Sequence, residues 1–140
     1  MIDRPSLADP VVLYAKLLVA YALHDAWSDR VGEYLDAAYD GTVDAYINWV
    51  QLAEVHHVLA GLVDSERVDA FVAHLERIGA RTHGAESCWR RGAPFKRDNK
   101  PALGNVFTLA TAADVDGTLL VSADDDFTPV DEVQIERFRS

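Results

Sequence analysis

Residues 11–21 read VVLYAKLLVAY, and their character changes at residue 14. Val11 to Leu13 is too short for a helix and rich in β-branched side chains, so it reads as a strand covered on both faces, with a helix over about 16–24 to follow. Tyr14 falls at the junction. Open α/β domains bind ligands outside the carboxyl ends of their parallel strands, which puts a phenol where chemistry is expected.

The chain on either side repeats the alternation. Trp27, Val31, Tyr34, Leu35 and Ala38 recur at helical spacing over 27–40, with Gly41 placed to stop the helix. Val43 to Ile47 fits a short strand. Asn48 then starts a helix running to about Val63, with Gln51 three residues on in the arrangement of a capping box. Asp64 or Ser65 caps a further helix with Val68, Phe71, Val72, Leu75 and Ile78 on one face and Gly79 at its end. Residues 80–84 leave room for a strand. Gly92 and Pro94 interrupt the pattern between 86 and 100, so a short broken helix or a mobile loop is expected there. A helix resumes at about Ala102 and ends near Gly117, TLLVS (118–122) reads as another buried strand, and Val133 to Ile135 offers a last one. Strands alternating with helices predict an α/β fold, a mostly parallel central sheet wrapped by helices, and 140 residues suit one domain over 1–140.

Composition narrows the function. The net charge is -10, and sixteen Asp and seven Glu stand against ten Arg and three Lys. Phosphate contacts normally need a basic surface, so a large nucleic-acid footprint is disfavoured, and an acidic, Lys-poor surface points to a halophilic protein. One segment departs: Arg90, Arg91, Lys96, Arg97 and Lys100 put five of the thirteen basic residues into eleven positions. These are candidate RNA contacts; solvated surface charge is the alternative. No apolar run reaches the roughly 18 residues of a membrane span, and Asp3 and Asp9 break any signal pattern, so a soluble, cytoplasmic protein is expected. A lone Cys88 can form no internal disulfide.

His56 and His57 point about 100° apart on a helix, and His24, His74 and His83 lack ligand spacing, so no zinc site is expected. GXGXXG, GXXXXGK and GXSXG are all absent, which removes nucleotide-binding loops and the serine-hydrolase elbow. Glu54 lies between Val50 and Val58 on a partly apolar stripe, where a carboxylate needs a cation or donor unless it reaches round to solvent. If the first strand and TLLVS are neighbours, Tyr14 approaches Asp124. Asn105 opens the helix after residue 102, where N–H groups favour anions.

Three blocks now stand out: VVLYAKLLVAY, NWVQLAEVHHVL (48–59), and ALGNVFTLATA (102–112) followed by LLVSADDDF (119–127). In order and spacing they resemble a PIN domain, and more narrowly the VapC-type toxins of toxin–antitoxin pairs, over about residues 11–138. The resemblance implies a PIN-like three-layer fold, four acids holding Mg²⁺ or Mn²⁺ to hydrolyse an RNA phosphodiester, a homodimer, and a VapB-like antitoxin as partner. Carried over by residue, Glu54 and Asp124 match two acids and would be the metal ligands. Asp126 matches the accessory acid and Ser122 the preceding hydroxyl. Tyr14 and Asn105 stand where the other two acids belong.

A phenol with a pKa near 10 is neutral at pH 7 and a poor partner for Mg²⁺, and an amide has lost the charge. Weak or absent metal binding, impaired catalysis and a fold stable in chelator are therefore expected. Val106, where the family has a small residue, and Pro94 read as further drift. Two alternatives stay open: an active Mg/Mn-dependent endoribonuclease using Glu54, Asp124 and Asp126, or a non-catalytic module binding a partner or RNA. Trp49 is expected in the core, and otherwise on a partner-contact surface formed with the helices 27–40 and 48–63.

Overall fold

Val11, Val12 and Leu13 are wholly buried, because the strand they form has a parallel neighbour on each side and helices above and below. A computed structural model describes residues 6–23, 28–99, 103–122, 127 and 133–138, with the backbone alone at 85–88, 98, 99 and 103. Along the chain run β1 (Val11–Leu13), α1 (Ala15–Ala22), α2 (Ser28–Asp40), β2 (Ala45–Asn48), α3 (Trp49–Ala60), α4 (Ser65–Arg77), β3 (Arg81–His83), α5 (Ala85–Asn99), α6 (Leu103–Val115), β4 (Thr118–Val121) and β5 (Gln134–Arg137). The five strands form one all-parallel sheet in the order β3-β2-β1-β4-β5. Val11 stands between Ala45 and Thr118, and Leu13 beside Leu120. The order reverses at β1. The crevice between the carboxyl ends of β1 and β4 is thus the switch point of an open α/β sheet, with Tyr14 on one side and Ser122 on the other.

Helix α6 lies across β2, β1 and β4, with α5 packed along it, and α1 contacts β4, α2 and α3. The core joins Leu17 and Leu18 of α1, Val55 and Leu59 of α3, Leu109 of α6 and Leu119 to Val121 of β4. The edge strand β5 is fastened through Glu136. Its Oε1 accepts a 2.6 Å hydrogen bond from the Tyr34 hydroxyl, which itself accepts from the Ala8 N–H, and Arg30 pairs with both Glu136 and Glu33. Among the described residues no helix is long and apolar enough to cross a membrane.

Asn48 and Asp64 cap α3 and α4 as their sequence positions suggest, accepting from the Val50 and Arg67 N–H groups. Four expectations change. The strand expected at 43–47 is β2 at Ala45–Asn48; Val43 is buried in the turn before it, where its N–H bonds the Ala37 carbonyl. The last strand runs over 134–137 rather than 133–135.

Of the stretch 86–100, expected to be broken or a loop, residues 86–99 lie in the continuous helix α5, and residue 100 is outside the described residues. Gly92 is the reason rather than the obstacle. A Cβ there would stand 2.7 Å from Val106 Cγ1, so the missing side chain is what lets α5 lie against α6, while Pro94 sits on the exposed face. Tertiary packing here overrides low helix propensity. Val106, read as drift, fills the space that Gly92 leaves. Trp49, expected in the core, is 53% exposed. The buried stripe of α3 is Gln51, Val55 and Leu59, and Trp49 lies two positions before Gln51, about 200° around the helix.

Candidate functional site

Gln51 organises the carboxyl end of β1. Its side chain is buried. Its Oε1 accepts the Ala15 N–H at 2.9 Å, and its Nε2 donates to the Gly104 carbonyl at 2.8 Å. This amide is not the returning half of a capping box with Asn48, as the sequence suggested; both its groups are committed to other segments. It ties the start of α1, the first turn of α3 and the first turn of α6 together. The neighbours of those three anchor points are Tyr14, Glu54 one turn along α3, and Asn105. The bracket thereby groups the segments that carry three of the sequence-predicted site residues. The signal for Gln51 was present: a polar residue in register with Val55 and Leu59 at i+4 and i+8 belongs to the buried stripe.

The three differ in exposure. Tyr14 is 2% exposed, and its ring meets Phe127 edge-on with centroids 5.2 Å apart. Asn105 is buried, and Glu54 faces solvent. Val50 and Val58, its neighbours on the stripe, are half-buried, which places Glu54 at the margin between core and surface rather than within it. Asp124 and Asp126 lie outside the described residues, as does Lys100. The described residues alone do not fit a Mg²⁺ or Mn²⁺ site: Glu54 offers one carboxylate and Asn105 an uncharged oxygen, and no cluster of three or more His, Cys, Asp or Glu occurs among them.

A second polar arrangement spans the ends of β2 and β3. The buried Asn48 donates through Nδ2 to Thr111 Oγ1 at 3.1 Å, and the Thr111 hydroxyl donates to the Phe107 carbonyl. His83 Nε2 lies 3.3 Å from Asp114, whose other oxygen pairs with Arg91. The candidate RNA contacts thus sort into two kinds. Arg91 is held by Asp114, whereas Arg90 stacks its guanidinium over the exposed Trp89 ring, 4.9 Å from the centroid, and Lys96 and Arg97 are exposed.

No family model matches the chain, and no curated protein does. Solved structures do. A chain of VapBC2 from Rickettsia felis, solved bound to a DNA fragment from the promoter, is 13% identical with a TM-score of 0.73, over 91% of this chain and 98% of that one. A chain of FitAcB from Neisseria gonorrhoeae is 15% identical with a TM-score of 0.58, over 89% and 95%. The likeness is one of fold, and it carries the PIN-like α/β arrangement of a central parallel sheet flanked by helices.

Proposed function

We propose that this chain is a VapC-like PIN-domain protein of the metal-dependent endoribonuclease family whose catalytic site is degenerate. The observation that carries the reading is Tyr14. At the switch point, where the family's first acid would stand, a phenol ring is buried against Phe127, the residue that closes the LLVSADDDF block. The ring takes volume otherwise open to a metal ion and its water, and it contributes no charge at neutral pH. Asn105 keeps an oxygen but not the charge. Glu54 and Asp124 would remain as weak ligands with Asp126 beside them, too few carboxylates for the field that holds a catalytic ion. The fold shared with VapBC2 and FitAcB supports a VapB-like antitoxin as partner; a homodimer as the assembly rests on the resemblance of the three sequence blocks. An antitoxin Arg entering this cleft would find fewer carboxylates to pair with, and so bind less tightly through that contact.

The second reading, an active Mg/Mn-dependent endoribonuclease working through Glu54, Asp124 and Asp126, is favoured by the exposure of Glu54, which leaves its carboxylate open to a hydrated ion. Cleavage of a pooled tRNA and rRNA substrate in Mn²⁺ separates the two. The expected outcome is that the unmodified chain is silent and the double variant Tyr14→Asp, Asn105→Asp cuts. Cutting by the unmodified chain, abolished by Asp124→Asn, establishes the second reading. Silence of both proteins overturns the view that only the two acids are missing and leaves a binding module.

A further inference from the structure

We propose that Trp89 and Arg90 on α5 form a contact site for single-stranded RNA, an unpaired base stacking on the open face of the indole and its phosphate lying on Arg90. The inference rests on the RNA-directed fold reading above but not on catalysis. Trp89 is 57% exposed, so much of a large apolar side chain stands open to solvent. Arg90 is stacked on it at 4.9 Å and, unlike Arg91, pairs with no carboxylate among the described residues. An exposed aromatic plane with a guanidinium beside it, unpaired with any carboxylate among the described residues, is the combination that holds a nucleotide: every base has a π-face, and the cation takes the backbone charge.

The surroundings agree. Arg90 and Arg91 line a groove of about 610 Å³ between α5, the end of α6 and the start of β5, with Phe95 and Asp116 in its wall; it lies at the amino ends of β4 and β5, across the sheet from the crevice, and its volume is in the ~300–1,000 Å³ range of small-molecule sites. The chain carries a net charge of -10, so a polyanion is repelled over most of the surface and finds its cations concentrated on α5. A duplex, whose bases stack on one another, presents no free face to the indole.

The test uses the full chain in EDTA, so that any nuclease chemistry is silent, with a labelled, unstructured oligoribonucleotide of about eight nucleotides followed by anisotropy and by tryptophan quenching. Expected are measurable binding, a loss of about tenfold in Trp89→Ala with recovery in Trp89→Phe, and in Arg90→Ala both weaker binding and a salt slope shallower by about one. Both positions are exposed, so unchanged melting temperatures should accompany these losses. No binding, equal affinity of Trp89→Ala, or a duplex bound as tightly as the single strand overturns the site. Cleavage by the Tyr14→Asp, Asn105→Asp variant with oligonucleotide affinity indifferent to Trp89 would reject this site and leave the nuclease reading standing.

Discussion

Gln51 joins two segments through one amide, accepting the Ala15 N–H and donating to the Gly104 carbonyl. Gln51→Ala should leave the buried Ala15 N–H without its acceptor and release the first turn of α6, at a cost of about 1–3 kcal/mol read as a lower urea midpoint at unchanged m-value. Tyr34 makes a pH-dependent contribution. Burial, and then its hydrogen bond to Glu136, push its phenol up to about 12 from an ordinary value near 10. The folded chain thus keeps this proton when the unfolded chain loses it. The associated stability, on the order of 2 kcal/mol, is full below pH 10 and is lost as the pH rises from 10 to 12. Urea titrations at pH 9 and 11.5 should show that decline, and Tyr34→Phe should flatten it while costing roughly 1–2 kcal/mol at pH 7 for the lost bond. The sequence made Tyr14 and Asn105 visible through the blocks around them. It misled on Gln51, because a three-residue spacing from Asn48 describes a cap without saying what lies opposite the side chain in the fold.

Among the elements, α5 departs furthest from local rules. Ala at an interior helix position is favoured over Gly by about 1 kcal/mol, so Gly92→Ala on an isolated α5 would stabilise it. Against α6 the sign reverses, for the new Cβ would meet Val106 Cγ1 at 2.7 Å, and Val106 is buried without room to withdraw. A net loss of about 1–3 kcal/mol is expected. The double variant Gly92→Ala, Val106→Ala should recover most of it, and a double-mutant cycle by chemical denaturation measures the coupling. Additive losses would mean that the two helices do not meet there. Strands and helices with a clear period, such as β1, α4 and β4, were legible because burial alone writes their pattern. A helix whose Gly is fitted to one residue of another helix has no pattern of its own to read.

For the whole molecule, the net charge of -10 sets a self-repulsion that salt relieves. Stability should rise steadily from about 0.1 M to 2 M KCl, by more than the same shift in a neutral α/β protein of this size; a flat urea midpoint over that range would end the halophilic reading. The α/β class was legible from the alternation of apolar strands with helices, but the order β3-β2-β1-β4-β5 was not, since neighbours in a parallel sheet are chosen by crossovers rather than by local residues.

That order also bears on how the chain comes into being. The first strand made is the middle of the sheet, and its two flanks arrive at residues 45–48 and 118–121, the second separated from β1 by most of the chain. Until β4 has left the ribosome, one edge of Val11–Leu13 is an open, apolar ladder with no Lys, Pro or bulge to shield it, and the crevice has a single wall. Folding dominated by such distant pairing is slow. A nascent chain halted anywhere before residue 118 would therefore be both inert and sticky, so whatever activity the fold has must wait until β4 has been made and has closed the second wall of the crevice.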